Sequence, residues 1–285
     1  MFVAIGLLIV FGSILGGYVM HGGQIAVLIQ VSEFIIIGGS GLGALVIGNS
    51  PHMVRRVFKE IFALLKPSGF TEKAYSELLQ VLYEVFQVAR KEGLIGLESH
   101  VENPEKSELF GRYPIFSANH HAVAFLTDNL KVLLTGAVED HHLSEILELD
   151  LDRQHEEAMA PPNAVAKIGD AMPAFGIVAA VLGVIITMGS IGGPAAEIGE
   201  KVAAALVGTF LGVLLAYGFF GPLAQIMEAR VRAEHAYLSC IRTAILSFAR
   251  GDSPMTSVEF ARRSVEPEDR PSFSELETLT RKKAA

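Results

Sequence analysis

The chain has 285 residues, of which 51% are hydrophobic and 19% charged, and its formal net charge is −8. Soluble globular proteins carry about 25% charged residues, so the shortage of charge, with apolar residues gathered in a few long runs, marks an integral membrane protein with a sizeable water-facing part. The acidic balance and the lack of a dense basic face argue against nucleic-acid binding, and the single Cys240 rules out an intrachain disulfide and fits a reducing compartment.

A hydrocarbon core about 30 Å thick needs about 20 apolar residues as helix. Residues 1–21 form the first candidate span. This run has no positive leading segment and no small-x-small cleavage site, so it is expected as an uncleaved span rather than a signal peptide. Residues 34–50 form a shorter second span, bounded by Glu33 and by Asn49-Ser50-Pro51. Residues 51–170 then make a large polar stretch with helical periodicity. In "EKAYSELLQVLYEVFQVARK" (72–91), Tyr75, Leu78, Leu79, Leu82, Val85, Phe86 and Ala89 recur on one face. Segments 115–135 and 143–158 read the same way. Spans three and four follow at 171–191 and 202–223, and "AQIMEARVRAEHAYLSCIRTAILSFARG" continues span four as an amphipathic helix. From about 251 the tail is polar, carries Pro254, Pro267 and Pro271, and is expected to be mobile.

The predicted organisation is therefore a transmembrane hairpin at 1–50, a helical domain at 51–170, a second hairpin at 171–223, and a helical extension with a mobile tail at 224–285. The fold class is an all-α integral membrane protein with four transmembrane helices and a large helical cytoplasmic domain. Of the 23 Lys and Arg residues, 12 lie in 51–170 and 10 in 224–285, while the short turns at 22–33 and 192–201 hold only Lys201. The positive-inside rule places both termini and the large stretch in the cytoplasm.

The spans carry stripes of small residues. Ala204, Gly208, Gly212 and Ala216 recur at i+4 in span four; Gly176 with Ala180 and Ala179 with Gly183 do so in span three; Gly12 with Gly16 and Gly39 with Gly43 do so in spans one and two. Small residues let helices approach closely in lipid. Two arrangements satisfy the stripes equally: packing within one chain, or a multi-chain bundle with spans three and four at its centre. The polar inventory is thin, comprising Thr187, Thr209 and Tyr217, with Glu33, Asp170 and Lys201 at the edges. No ionisable residue falls near the middle of any span. Membrane proton carriers rely on such a group, so ion handling would require a carboxylate from another chain. Pro173 and Pro222 sit at matching depth in antiparallel spans, where each is a fixed kink or a moving hinge.

The histidine pairs in "NHH" (119–121) and "EDHH" (139–142), with Glu145 one turn after His141, invite a zinc reading. Metal sites need three or four converging ligands, and adjacent helical residues point about 100° apart, so no metal site and no cofactor are expected. There is no P-loop, G-x-S-x-G or HExxH, which argues against an enzyme, and "GGSGLG" (38–43) lies within span two, where it serves helix packing.

Four spans split by a large loop, with "GDAMPAFGIVAAVLGV", "GTFLGVLLAYGFFGPLA", "GLLIVFGSILGGYVMHGG" and "ARKEGLIGLE", resemble the flagellar motor stator A subunits, the motility protein A (MotA) family of the MotA/TolQ/ExbB superfamily. The resemblance runs to about residue 250. It implies a bacterial inner-membrane torque generator in which a homopentamer surrounds two B subunits (MotB-like). The B subunit supplies the ion-carrying aspartate and a peptidoglycan anchor, and ion flow drives the cytoplasmic domain against the rotor switch protein FliG. By position, Arg90 and Glu98 match rotor-contacting charges, and Asp150 matches a further cytoplasmic acid. Pro173 and Pro222 match prolines near the ion path, and Thr209 and Tyr217 match polar residues facing the B helices. Sodium-type relatives carry threonine where this chain has Ala180. A methyl group cannot ligate Na⁺, so proton coupling is expected. The alternative is an ExbB/TolQ-like proton-driven transducer of other envelope processes, which the four-span topology disfavours.

Overall fold

A computed structural model describes residues 2–136 and 139–281, and among them every regular element is helical. In chain order these are α1 (Phe2–Met20), the single turn α2 (Ile25–Leu28), α3 (Val31–Gly48), α4 (Pro51–Ala63) and α5 (Glu72–Glu92). Three short helices follow, α6 (Glu98–Glu102), α7 (Glu108–Gly111) and α8 (Pro114–Ser117), and then the longer α9 (His120–Leu134). Two long rods come next, α10 (Asp140–Met188) and α11 (Ala195–Leu215), the latter running through a π-helical turn (Ala216–Phe220) into α12 (Gly221–Ala249). The chain closes with α13 (Pro254–Ser264) and α14 (Phe273–Arg281).

Four helices are long and apolar enough to cross a membrane, at Val3–Met20, Ile25–Gly48, and within His141–Met188 and Ala195–Ala249. The chain divides into two compact units, one of Met1–Pro67 with Ala158–Ala229, the other of Ser68–Glu157 with Arg230–Ala285.

The first unit holds the four apolar segments. One cluster gathers Leu45, Val57, Leu64, Ala164, Val165, Leu223, Ala224 and Met227, and a second gathers Ile37, Met172, Ala179, Leu211 and Ala216. Between α10 and α11 the contact is made by glycines. An added Cβ on Gly176 would lie 2.7 Å from the Gly208 carbonyl oxygen, and one on Gly212 would lie 2.6 Å from that of Met172. An added Cβ on Gly183 would lie 2.6 Å from Ala205 Cβ. For Gly176, Gly183, Gly208 and Gly212, packing within the chain is thus the arrangement the structure adopts. The glycines of α1 and α3 differ: an added Cβ at Gly12, Gly16, Gly39 or Gly43 meets nothing within 4 Å.

The second unit is built around α5. Its face of Leu78, Leu79, Val81, Leu82, Val85 and Phe86 is fully buried, as the helical period predicts. Thr71 caps its start by accepting from the Ala74 N–H, and Gly93, at φ +79°, ends it. Phe86 stacks on Phe248 with ring centroids 4.4 Å apart, and Tyr237 lies against both Phe70 and Tyr75. The polar tail departs from expectation. Residues 254–264 and 273–281 are helical, with Pro254, Val258, Ala261 and Leu276 buried, because a few well-spaced apolar residues suffice to dock a short capped helix. Ser253 supplies the cap, accepting from the Thr256 N–H at 3.1 Å.

Candidate functional site in the apolar helices

The sequence-predicted residues fall into two sets. Pro173, Ala180, Thr209, Tyr217 and Pro222 belong to the first unit, and Arg90, Glu98 and Asp150 to the second.

Within the first unit, α11 is divided lengthwise. Gly208, Leu211 and Gly212 face inward, whereas Val202, Leu206, Thr209, Val213 and Tyr217 form an exposed stripe at spacings of three and four residues. Tyr217 is 74% exposed. Thr209 and Tyr217 therefore share one outward face of a helix whose other face is committed to α10. Ala180 is half-buried, and Pro173 lies inside the continuous α10 together with Pro161 and Pro162.

The π-helical turn at Ala216–Phe220 had no counterpart in the sequence reading. The Gly221 N–H donates to the Ala216 carbonyl, five residues back. Pro222 has no N–H to give the Gly218 carbonyl, and widening the turn one residue earlier takes up the misfit. The signal was present in Gly218, Gly221 and Pro222 together, but a hydropathy run reads through it. Single π turns mark functional positions in many helices, and this one carries Tyr217.

Glu33 is at the edge of span two, as expected, but its burial was not foreseen: it is only 5% exposed. A Cβ added to Gly208 would lie 2.5 Å from Glu33 Oε2, 3.0 Å from Ala179 Cβ and 3.1 Å from the Ala180 nitrogen. Helix α3 begins at Val31, three residues before the predicted start, and the glutamate reaches inward from its first turn. Ala180 lies eight residues from the end of α10, about 12 Å along the axis. Glu33 thus stays at the edge of its span, in the first turn of α3, while its carboxyl is buried within the apolar unit.

In the second unit, Arg90 is exposed in the last turn of α5 and Glu98 is exposed at the start of α6. The helix does not continue between them: Gly93 turns the chain, and residues 94–97 form a 3₁₀ turn. Asp150 is tied inward, accepting from Gln154 Nε2 at 3.0 Å and from the buried Asn129 at 3.5 Å. Asn129 also donates to the Phe125 carbonyl at 2.7 Å, so Asp150 braces α9 against α10.

The histidine pairs behave unequally. His121 Nδ1 sits 2.6 Å from Glu234 Oε1. At the other pair, Glu139, His141 and His142 bring one ligand atom each within 4.8 Å of one another, all exposed. The rings of His141 and His142 stand 3.9 Å apart in the first turn of α10. A third pair, His155 and His235, meets edge to face at 4.6 Å with both Nδ1 atoms buried.

Comparison with known proteins bears on the whole arrangement. Residues 4–93 match the motility protein A N-terminal family, and residues 117–239 match the MotA/TolQ/ExbB proton channel family. Motility protein A of Salmonella typhimurium is 39% identical over 281 residues, covering 99% of this chain and 95% of that protein. Motility protein A of Escherichia coli is 38% identical over the same shares. Chemotaxis protein LafT of Vibrio parahaemolyticus is 34% identical over 96% of each. Among solved structures, C. jejuni MotAB superposes with a TM-score of 0.77 at 22% identity, covering 95% of this chain and 98% of that one. The flagellar MotAB stator complex from Bacillus subtilis gives 0.77 at 22%, covering 96% and 100%. At that identity the two structures speak to the fold.

Proposed function

The chain belongs to the motility protein A family and is a flagellar stator subunit of the proton-channel class; from that premise we propose that it works as the A subunit of a proton-driven stator, a homopentamer around a MotB-like B subunit that carries the ion-binding aspartate and anchors the complex to peptidoglycan. The observation that carries this reading is the match along almost the entire chain, in which the N-terminal family model and the four apolar helices belong together. It favours a motor subunit over an ExbB/TolQ-like transducer. The protein is multi-pass in the bacterial inner membrane, with both termini and the second unit in the cytoplasm, where Lys and Arg concentrate.

In this arrangement Thr209 and Tyr217 face the B helices. Both residues are exposed in the single chain, on a face not used to pack α10, which supports the assignment. Pro173 and Pro222 shape the path, and Ala180 favours protons because a methyl group offers no oxygen to a hard cation. Arg90 and Glu98, both exposed, meet the rotor protein FliG, and the turn at Gly93 lets each present its charge independently.

The test is complementation of a motility-null strain with this chain and its B subunit. Swimming is expected to require both chains, to stop when the proton gradient collapses, and to persist without sodium. Arg90→Glu should stop swimming while leaving proton flow intact. Swimming that followed the sodium gradient would sink the proton assignment, and proton flow with no effect on motility would sink the motor assignment.

A further inference from the structure

Among the described residues only two charged side chains are nine-tenths buried, Glu33 and Arg262. Arg262 is fully engaged, donating to Glu259 and to the Pro271 carbonyl. Glu33 is not: its Oε2 is buried and has no hydrogen-bond partner. That oxygen lies over Gly208, 2.5 Å from where a Cβ on that residue would stand, and the same space is bounded by Ala179 Cβ and the Ala180 nitrogen. The neighbouring Ser32 hydroxyl hydrogen-bonds the carboxyl, which leaves Oε2 as the oxygen without a partner.

The charged groups on the neighbouring elements are distant or occupied. Lys201, seven residues before Gly208 and so about 10 Å along α11, bonds to Glu197 at 2.9 Å and to Ser190 at 2.6 Å. Asp170 is ten residues before Ala180, about 15 Å along α10. Helix α2 carries no charge, and neither does α1. Burying a carboxylate oxygen without a partner is unfavourable for the charged form, and intramembrane acids mark proton relays. Gly208 is what makes room for the carboxyl, since any side chain there would occupy the same space.

We propose that Glu33 is a proton-exchanging carboxyl of the transmembrane unit, passing a proton between water at the α1–α3 turn and the Ala180 face of α10. Proton binding neutralises the carboxylate, proton release restores it, and no other bond changes. The role rests on the proton-stator reading above, in which the B subunit's aspartate is the principal carrier and Glu33 serves the approach to it.

Two measurements on the full A–B complex in native membranes test this. The first is labelling with dicyclohexylcarbodiimide, which reacts with protonated carboxyls in apolar surroundings. The peptide containing Glu33 should carry the adduct at acidic pH and lose reactivity as pH rises. The second is proton flux per assembled complex: Glu33→Gln should lower it roughly a hundredfold, the scale of a lost proton-transfer group, and Glu33→Asp should restore part of it. If the wild-type complex carries no protons, the stator reading itself fails. If it does, and Glu33→Gln conducts equally with the same pH profile, Glu33 is packing only and the proposal is overturned. Should Glu33→Gln fail to assemble, labelling of the wild type decides: an unreactive Glu33 overturns the proposal and a pH-dependent adduct supports it.

Discussion

Gly208 shows how much one missing methyl group controls. The space over its Cα holds the Glu33 carboxyl, Ala179 and the Ala180 backbone. Alanine there would gain up to about 1 kcal/mol of helix propensity, but overpacking a close-packed site costs about 1–3 kcal/mol. Gly208→Ala is therefore expected to lower the thermal midpoint of the purified complex and, by displacing the carboxyl, to reduce proton flux. Gly39→Ala is the control, because its Cβ meets nothing within 4 Å in the chain. Its midpoint should stay level or rise, and a large fall there would mean that close packing is not what separates the two glycines. The identity of Gly208 as a packing residue was legible in the i+4 stripe. The reason for it was not, because a one-dimensional pattern cannot say which helix a glutamate's side chain reaches.

Among the elements, length and apolar run announced the four spans, and the period of 3.6 announced the buried face of α5. Features fixed by local geometry or sparse contacts escaped. The π turn before Pro222 arises from a backbone misfit that hydropathy averages away. The α13–α14 segment escaped because its composition is polar, while its order comes from Val258, Ala261 and Leu276 and from one charged clamp. In that clamp Glu259 accepts from Arg262 at 2.7 and 2.8 Å and from Arg263 at 2.7 Å, and Arg262 also donates to the Pro271 carbonyl at 2.9 Å. The Arg262 hydrogen bonds hold the Glu259 carboxyl below the usual carboxylate range against the opposing effect of its partial burial. The lowered value means that the unfolded chain binds this proton more readily than the folded one. Stability from the clamp is thus complete above the unfolded glutamate's pKa, about 4.3, and is lost as pH falls through that value towards the folded one. Hydrogen exchange across residues 254–281, corrected for intrinsic rate, should quicken below about pH 4.3, and Glu259→Gln should quicken it at neutral pH. Unchanged exchange in the variant would show that the apolar contacts alone hold the tail.

For the whole molecule, the two faces of α11 have different surroundings. One face is spent inside the chain, where Gly208 and Gly212 touch α10 so closely that no side chain fits. The other, carrying Val202, Leu206, Thr209, Val213 and Tyr217, touches nothing that would explain its mixed character. Lipid alone would accept the valines and leucine but gains nothing from a threonine and a tyrosine on the same line. Tryptophan substitution discriminates between the faces. Gly212→Trp has no space within the chain, so the protein should fail to accumulate in the membrane. Thr209 is exposed, so with Thr209→Trp membrane level should stay near wild type while co-purification of the B subunit falls roughly tenfold, a loss of about 1.4 kcal/mol in association. Unimpaired recovery of the B subunit with Thr209→Trp would mean that this stripe faces lipid, and that the partner approaches along another side, the unpacked glycines of α1 and α3 being the next to probe. Reading this division from sequence stopped at the stripe of small residues, since two packings satisfied it equally; the close approach of α10 and α11 chooses one for the glycines and leaves the mixed stripe of Thr209 and Tyr217 exposed.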